Sequence, residues 1–161
     1  MEDTILAYIA GFLDGDGSVI FQLKPRLDYV YGFQIKVTVS FYQKQVNRSI
    51  LEWLNERLEV GTVRDRVDGI SEYDIEGFAP ARQVLDVLKP YVVLKQDQVE
   101  EALRMIDVMT SNFEPSPAEF LEWAGWVESF QSLNYTKKRK HTQKDVYAVL
   151  VSKGLLDPRN D

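Results

Sequence analysis

Residues 9–17, Ile-Ala-Gly-Phe-Leu-Asp-Gly-Asp-Gly, run an apolar helical pattern directly into a pair of carboxylates. Ile5, Leu6, Ile9, Phe12 and Leu13 follow the spacing of one helical face. Ala7, Ala10, Gly11 and Asp14 mark a second stripe nearly free of bulk, which lets another backbone approach closely. The alternative is that this small-residue face packs within its own chain. The helix is expected to end at Gly15-Asp16-Gly17, which puts Asp16 at the carbonyl terminus, where the helix dipole disfavours an anion. A divalent cation is the natural compensation. Asp-Gly-Asp-Gly alone would also suit a capped helix and turn, or half of a calcium loop. An EF-hand loop needs Glu at its twelfth position, and counting from Asp14 that position is Pro25, so the calcium loop is excluded.

The 161 residues, 45% hydrophobic and 12% aromatic, are expected to form one domain spanning 1–161 with a real core. No apolar run is long enough to span a membrane, and Met-Glu-Asp lacks the basic region of a signal peptide. Without cysteine there is no disulfide and no thiolate metal site. The default expectation is an intracellular protein. Net charge is −6, but distribution matters more than the sum for a nucleic-acid partner. Residues 18–44 carry Lys24, Arg26, Lys36 and Lys44 against the single acid Asp28. Residues 134–144 carry five bases and no acid, whereas residues 99–128 carry seven acids against Arg104 alone. This polarity predicts a basic working face and an acidic back.

Residues 18–24 read as a strand, with Ile20, Gln22 and Lys24 on one face and Val19, Phe21 and Leu23 on the other. Residues 25–31 form a turn. Residues 33–41 alternate Gln34, Lys36, Thr38 and Ser40 against Phe33, Ile35, Val37, Val39 and Phe41. A helix over 45–58 is expected to bury Val46, Ile50, Trp53, Leu54 and Leu58. A second hairpin pairs 62–66 with 71–75 around Asp68-Gly69. Helices follow at 80–88 and 96–109. Ser116-Pro117-Ala118-Glu119 carries a capping-box signature, and Thr142 opens a last helix that Gly154 can end. The order is αββαββ followed by helices.

Residues 9–17 resemble the LAGLIDADG motif of homing endonucleases. Ala10, Gly11, Asp14, Asp16 and Gly17 match by identity, and Gly15 replaces the motif's second alanine. The resemblance implies an α+β LAGLIDADG fold, αββαββα with extra C-terminal helices, whose antiparallel sheet forms a DNA-binding saddle. Val63-Arg64-Asp65-Arg66, Lys89-Pro90-Tyr91 with Lys95-Gln96, and residues 134–142 are similar to the single-motif, homodimeric subgroup encoded in ribosomal-RNA-gene introns. A second motif is absent. Aligning Ala124-Gly125 with Ala10-Gly11 puts Phe130 where Asp16 should fall. One carboxylate per chain implies a twofold pair, with Ala7, Ala10, Gly11 and Asp14 at the interface.

The resemblance assigns Asp16 and the Gly15 carbonyl as metal ligands, with Gln43 and Lys95 ordering water and stabilising charge. Asn47 stands where a closely related enzyme carries a basic residue, which makes neighbouring Arg48 the candidate for that catalytic role. Mg2+ is the expected cofactor, with Mn2+ substituting and Ca2+ binding without supporting cleavage. No organic cofactor is expected. His141 is the only histidine, so sites built on several histidines are excluded.

For recognition, Gln22, Lys24, Arg26, Gln34, Lys36, Thr38, Ser40, Thr62, Arg64 and Arg66 suit a β-ribbon in the major groove, where Arg and Lys read guanine and Gln reads adenine. Glu72 and Asp74 can orient the arginines or accept from cytosine amino groups. Lys137, Lys138, Arg139 and Lys140 supply phosphate contacts. The expected partner is double-stranded DNA with a long, pseudo-palindromic site cut in a staggered manner across the minor groove, and the expected role is intron mobility. The expected setting is a chloroplast, a mitochondrion or a prokaryotic cytoplasm. The alternative is an RNA maturase or a nucleic-acid-binding protein that does not cleave.

Overall fold

A computed structural model of the chain describes residues 1–134 and 140–159. The elements run α1 (Asp3–Asp16), β1 (Gly17–Pro25), β2 (Phe33–Lys44), a 3-10 turn (Gln45–Asn47), α2 (Arg48–Leu58), β3 (Thr62–Asp65), β4 (Ile70–Glu76), α3 (Phe78–Leu88), α4 (Gln96–Ser111), α5 (Pro117–Gln131) and α6 (Gln143–Ser152). The strands form one sheet in the order β1-β2-β4-β3. This is the α+β arrangement expected from the sequence. The chain divides into two compact units, one of Met1–Ile20 and Val37–Ile106, the other of Phe21–Lys36 and Asp107–Asp161.

In the first unit, β2 pairs antiparallel with β4 (Ser40 opposite Asp74, Phe41 opposite Tyr73), and β4 pairs antiparallel with β3 (Arg64 opposite Glu72). The core is Ile9, Ala10 and Leu13 of α1, Val37, Val39 and Phe41 of β2, and Tyr73 and Ile75 of β4, all fully buried. Leu51 and Leu54 of α2 and Leu85 and Leu88 of α3 are buried with them. Phe41 stacks on Tyr73 with ring centroids 5.7 Å apart and also meets Phe12 at 6.0 Å. The Tyr73 hydroxyl donates to the Val60 carbonyl at 2.5 Å, so its one polar atom is satisfied. Burial pushes that phenol's pKa up, because the phenolate would lose its hydration.

The second unit holds the outer part of the β1–β2 hairpin with α5 and α6. Phe21 meets Phe130 edge-on at 4.8 Å, Tyr31 packs on Phe120 at 5.1 Å, and Gln131 Nε2 donates to the Phe21 carbonyl at 3.2 Å. Lys153 Nζ, just past α6, donates to the carbonyls of Tyr29 and Val30 and so ties down the hairpin tip. The capping box read at Ser116 is formed: Glu119 N donates to Ser116 Oγ at 3.2 Å, and Ser116 N donates to Glu119 Oε2 at 2.7 Å.

Three expectations change in detail. The helix expected from residue 45 opens with a 3-10 turn, which rotates Val46 outward to 85% exposure and leaves Leu51, Leu54 and Leu58 as the buried side of α2. A tighter turn carries about 3.0 residues rather than 3.6, so the helical phase shifts. Ala10 is fully buried beside Ile9 and Leu13 and is not on the open stripe of α1. That stripe is instead Thr4, Ala7, Tyr8, Gly11 and Gly15, all exposed. Finally, α3 begins at Phe78 rather than residue 80, with Gly77 at φ 101° turning the chain out of β4.

Gly61, between α2 and β3, has φ 92°, and a Cβ there would lie 2.5 Å from the Asp74 carbonyl oxygen. Gly61→Ala is expected to lower stability by about 2 kcal/mol through backbone strain and that clash. Gly69, at φ 85°, has nothing within 4 Å of such a Cβ, so Gly69→Asn is expected to stay within about 0.5 kcal/mol of wild type. Urea unfolding midpoints measure both.

Candidate active site and nucleic-acid interface

The first unit brings Asp14, Asp16, Gln43, Asn47 and Lys95 together through three elements and the turn before α4, which carries Lys95. The C-terminal turn of α1 supplies both carboxylates. It stops at Gly17, whose amide donates to the Leu13 carbonyl and where a Cβ would lie 2.7–2.9 Å from Leu13 atoms. Only glycine lets β1 leave so close to the last helical turn. The end of β2 supplies Gln43, and the 3-10 turn supplies Asn47.

Asp16 is exposed, and its Oδ2 accepts from Gln43 Nε2 at 2.9 Å. Gln43 Oε1 in turn accepts from Asn47 Nδ2 at 3.2 Å. This relay orients the Gln43 amide: with its oxygen held by Asn47, its NH2 group faces the carboxylate. Sequence reading treated Asn47 only as the place of a missing base, and the structure makes it part of the chain of contacts. The Gln-x-x-x-Asn spacing of residues 43–47 is the signal for that arrangement.

Asp14 has a different partner set from Asp16. Its carboxylate accepts from the backbone amides of Val93, Leu94 and Lys95 at 2.8, 3.0 and 2.9 Å. Lys95 Nζ returns to the Asp14 carbonyl at 2.5 Å. Burial works against the charged form of Asp14. The three amides and the Lys95 cation outweigh that penalty, and the pKa falls below the ordinary carboxylate value. Burial likewise lowers the Lys95 pKa, while Asp14 and Asp16 pull in the opposite direction. The Asp14 side chain, expected on an interface between chains, is therefore committed within its own chain. Ala10 is also withdrawn from that expectation by its burial, whereas Ala7 and Gly11 remain on the open stripe, and a Cβ at Gly11 or Gly15 would meet nothing within 4 Å.

Arg48 does not join this group. Its Nε lies 3.5 Å from Glu52 Oε1 and 3.7 Å from Asp65 Oδ1, and Asp65 Oδ1 also accepts from Ser71 Oγ at 2.6 Å. Arg48 is the first residue of α2, directly after the 3-10 turn that carries Asn47, and its side chain meets Asp65 of β3.

On the polar face of the sheet, Thr62, Arg64 and Arg66 are exposed as expected. Thr38 and Ser40 are not: they are 8% and 2% exposed. They point to the polar side, but each faces an acidic residue across the ladder, Glu76 opposite Thr38 and Asp74 opposite Ser40. Larger neighbours thus roof over these short side chains. Glu72 is also covered, at 8% exposure. In the second unit Gln22, Lys24 and Arg26 are exposed, and Gln34 and Lys36 are half-buried. Arg26 is paired with Asp28 at 3.1 Å and donates to Gln34 Oε1 at 3.3 Å. Lys140 is exposed, while Lys137, Lys138 and Arg139 lie outside the described residues.

The sequence pattern of the LAGLIDADG endonuclease family matches residues 9–100. The chain is 41% identical over 147 residues to the DNA endonuclease I-CreI of Chlamydomonas reinhardtii, covering 91% of this chain and 89% of that protein. It is 34% identical over 110 residues to I-CvuI of Chlorella vulgaris, covering 68% of each. The crystal structure of I-CvuI with its DNA target and calcium superposes with a TM-score of 0.87 at 30% identity, covering 94% of this chain and 95% of that one. An archaeal intron-encoded homing endonuclease bound to DNA shares the fold, with a TM-score of 0.84 at 19% identity. The motif at the end of α1, the strand and helix order and these similarities converge: the chain belongs to the LAGLIDADG endonuclease family.

Proposed function

We propose that this chain is a site-specific homing endonuclease that, as a homodimer with Mg2+, makes a staggered double-strand cut in a long, pseudo-palindromic DNA site and so promotes intron mobility. The observation that carries this reading is the exposed Asp16 carboxylate at the carbonyl end of α1, oriented by Gln43 and Asn47. The curated relatives bear the name DNA endonuclease, and I-CvuI has been crystallised on DNA with calcium and with magnesium.

The residues present fit a hard divalent cation. Asp16 offers carboxylate oxygen, and the last-turn carbonyls of a helix, Gly15 among them, lack partners within the helix. No group of three or more His, Cys, Asp or Glu capable of holding a metal occurs among the described residues, so one chain supplies a partial ligand set. A second chain and the scissile phosphate complete it with further oxygens. Ala7, Gly11 and Gly15 on the open stripe of α1 support pairing of two chains, because small residues let two helices approach. When bound, the ion supplies charge neutralisation at phosphorus and a water of lowered pKa. Mn2+ substitutes for Mg2+ in this reading, and Ca2+ holds the complex without supporting cleavage. Gln43 holds Asp16 in place through Nε2. Lys95 is set beside both carboxylates by the amide contacts of Asp14, as a cation placed to offset charge on the phosphate.

With a target chosen by cleavage selection, the purified protein and Mg2+ are expected to yield one nick per strand. Asp16→Asn removes the metal-binding charge. If that charge stabilises the transition state by about 4 kcal/mol, cutting falls roughly 1000-fold while DNA affinity without metal is retained. Wild-type protein that binds DNA site-specifically but never cuts it would overturn the reading. Asp14→Asn is expected to lower stability by roughly 2 kcal/mol near pH 7, since a neutral amide replaces the acceptor of three amides. Because the folded-state pKa of Asp14 is lowered, its contribution is present above the unfolded value of about 3.9 and is lost as pH falls through the folded value. The stability difference between wild type and Asp14→Asn should therefore shrink in acid, as thermal melts at pH 3 and pH 7 would register.

A further inference from the structure

The relay from Asp16 through Gln43 ends at Asn47, on a short piece of backbone with little support of its own. Asn47 closes the 3-10 turn Gln45–Asn47 and stands at the N-cap of α2. Neither the turn nor α2 has a side-chain cap, since Lys44 and Asn47 make no capping hydrogen bond at those positions. Asn is among the side chains most favoured as an N-cap, where it accepts from an amide of the first helical turn. Here its Nδ2 donates to Gln43 Oε1 at 3.2 Å instead. The relay and the cap compete for one side chain, and local preference favours the cap. A contact from outside the turn must hold the other arrangement.

Gln45 makes that contact. Its backbone amide donates to the Gly69 carbonyl at 3.0 Å, and its Nε2 donates to the Arg66 carbonyl at 2.8 Å. Both acceptors lie on the turn between β3 and β4, so one residue grips that turn at two points. The Gln45 carbonyl accepts from Arg48 N, which closes the 3-10 turn behind the grip. The gripped turn is itself well fixed. Arg66 N donates to the Ile70 carbonyl at 2.7 Å, and Asp68 accepts from Ile70 N at 3.2 Å and from Arg66 Nη2 at 2.6 Å. The register explains the proximity: Lys44 is opposite Ile70 and Gln43 is opposite Ser71, which sets the β3–β4 turn beside the relay. A second tie, from Arg48 to Asp65, links α2 to the hairpin independently of the Gln45 side chain.

We propose that Gln45 is a positioning residue for DNA cleavage: it staples the 3-10 turn to the β3–β4 turn, which keeps Asn47 on Gln43 and so keeps Gln43 on Asp16. This rests on the DNA endonuclease reading above and deepens it. Without the staple, the Asn47 side chain turns to cap α2. The Gln43 amide then loses the donor that fixes its orientation, and the Asp16 carboxylate is no longer held in one position. Gln45 and Asn47 are both exposed, so the core does not depend on either side chain.

The test uses the full-length protein and a duplex carrying a target chosen by cleavage selection. Affinity is measured in EDTA, and the cutting rate in single turnovers at saturating protein and Mg2+. Gln45→Ala removes the side-chain half of the staple, and Gln45→Glu keeps its size while replacing the donor with an acceptor. Both are expected to bind within about 2-fold of wild type and to cut about 10-fold more slowly, as the loss of one orienting hydrogen bond would produce. Asn47→Ala should slow cutting to a similar extent. Because Gln45 acts through Asn47, the double variant Gln45→Ala with Asn47→Ala should cut within about 2-fold of Asn47→Ala alone. A double variant slowed about 100-fold, the product of two independent effects, overturns the proposal. So do Gln45 variants that cut at the wild-type rate, or that lose affinity in step with rate as a merely structural residue would. Wild-type protein for which the selection yields no cut duplex would instead overturn the endonuclease reading.

Discussion

The contact on which the site depends is the Asp14 carboxylate seated on three consecutive backbone amides at positions 93–95. These amides come from a segment far away in sequence, and an ionised acceptor is the strongest partner available to them. The contact joins the last turn of α1 to the approach of α4. It is reinforced in reverse by Lys95 Nζ on the Asp14 carbonyl. Asp16, two residues on, is left exposed because its neighbour takes up the local donors. The two motif carboxylates thus differ in surroundings: one is bound by backbone amides and lowered in pKa, the other is exposed and held by Gln43.

Electrostatics on the sheet follows a similar logic. The chain carries a net charge of −6, yet the outward sheet face displays Arg64 and Arg66. The acids of that face are not removed. They are lowered beneath the arginines and neutralised by them, with Ser40 as a further donor. Leaving such partly covered carboxylates unpaired would be costly. Paired, they fix the orientation of the Arg64 side chain.

Much of the fold was legible because its signals are local. The alternation in β1 and β2, the Asp68-Gly69 turn and the Ser116 capping box depend on neighbours within a few residues. The readings that changed concern the phase of an element against its surroundings. Val46 was placed in a core because 3.6-residue periodicity was carried through a turn that is 3-10. Ala10 was placed on an open stripe because small size does not distinguish a residue that lets a partner approach from one that fits a tight core. Thr38 and Ser40 were placed at the surface because alternation assigns a side of the sheet but not the height of the side chains around each position.

From the chain alone, the order of helices and strands and the family could be determined, since each is written in contiguous residues or in residue identity. The tertiary structure decided the partners: Asp14 with residues 93–95, Gln43 with Asp16 and Asn47, Arg48 with Asp65, and Ser40 with Asp74. A hydrogen bond depends on distances of a few tenths of an ångström and on direction. Where its partners lie far apart in sequence, nothing in the order of residues specifies that geometry until the elements have packed.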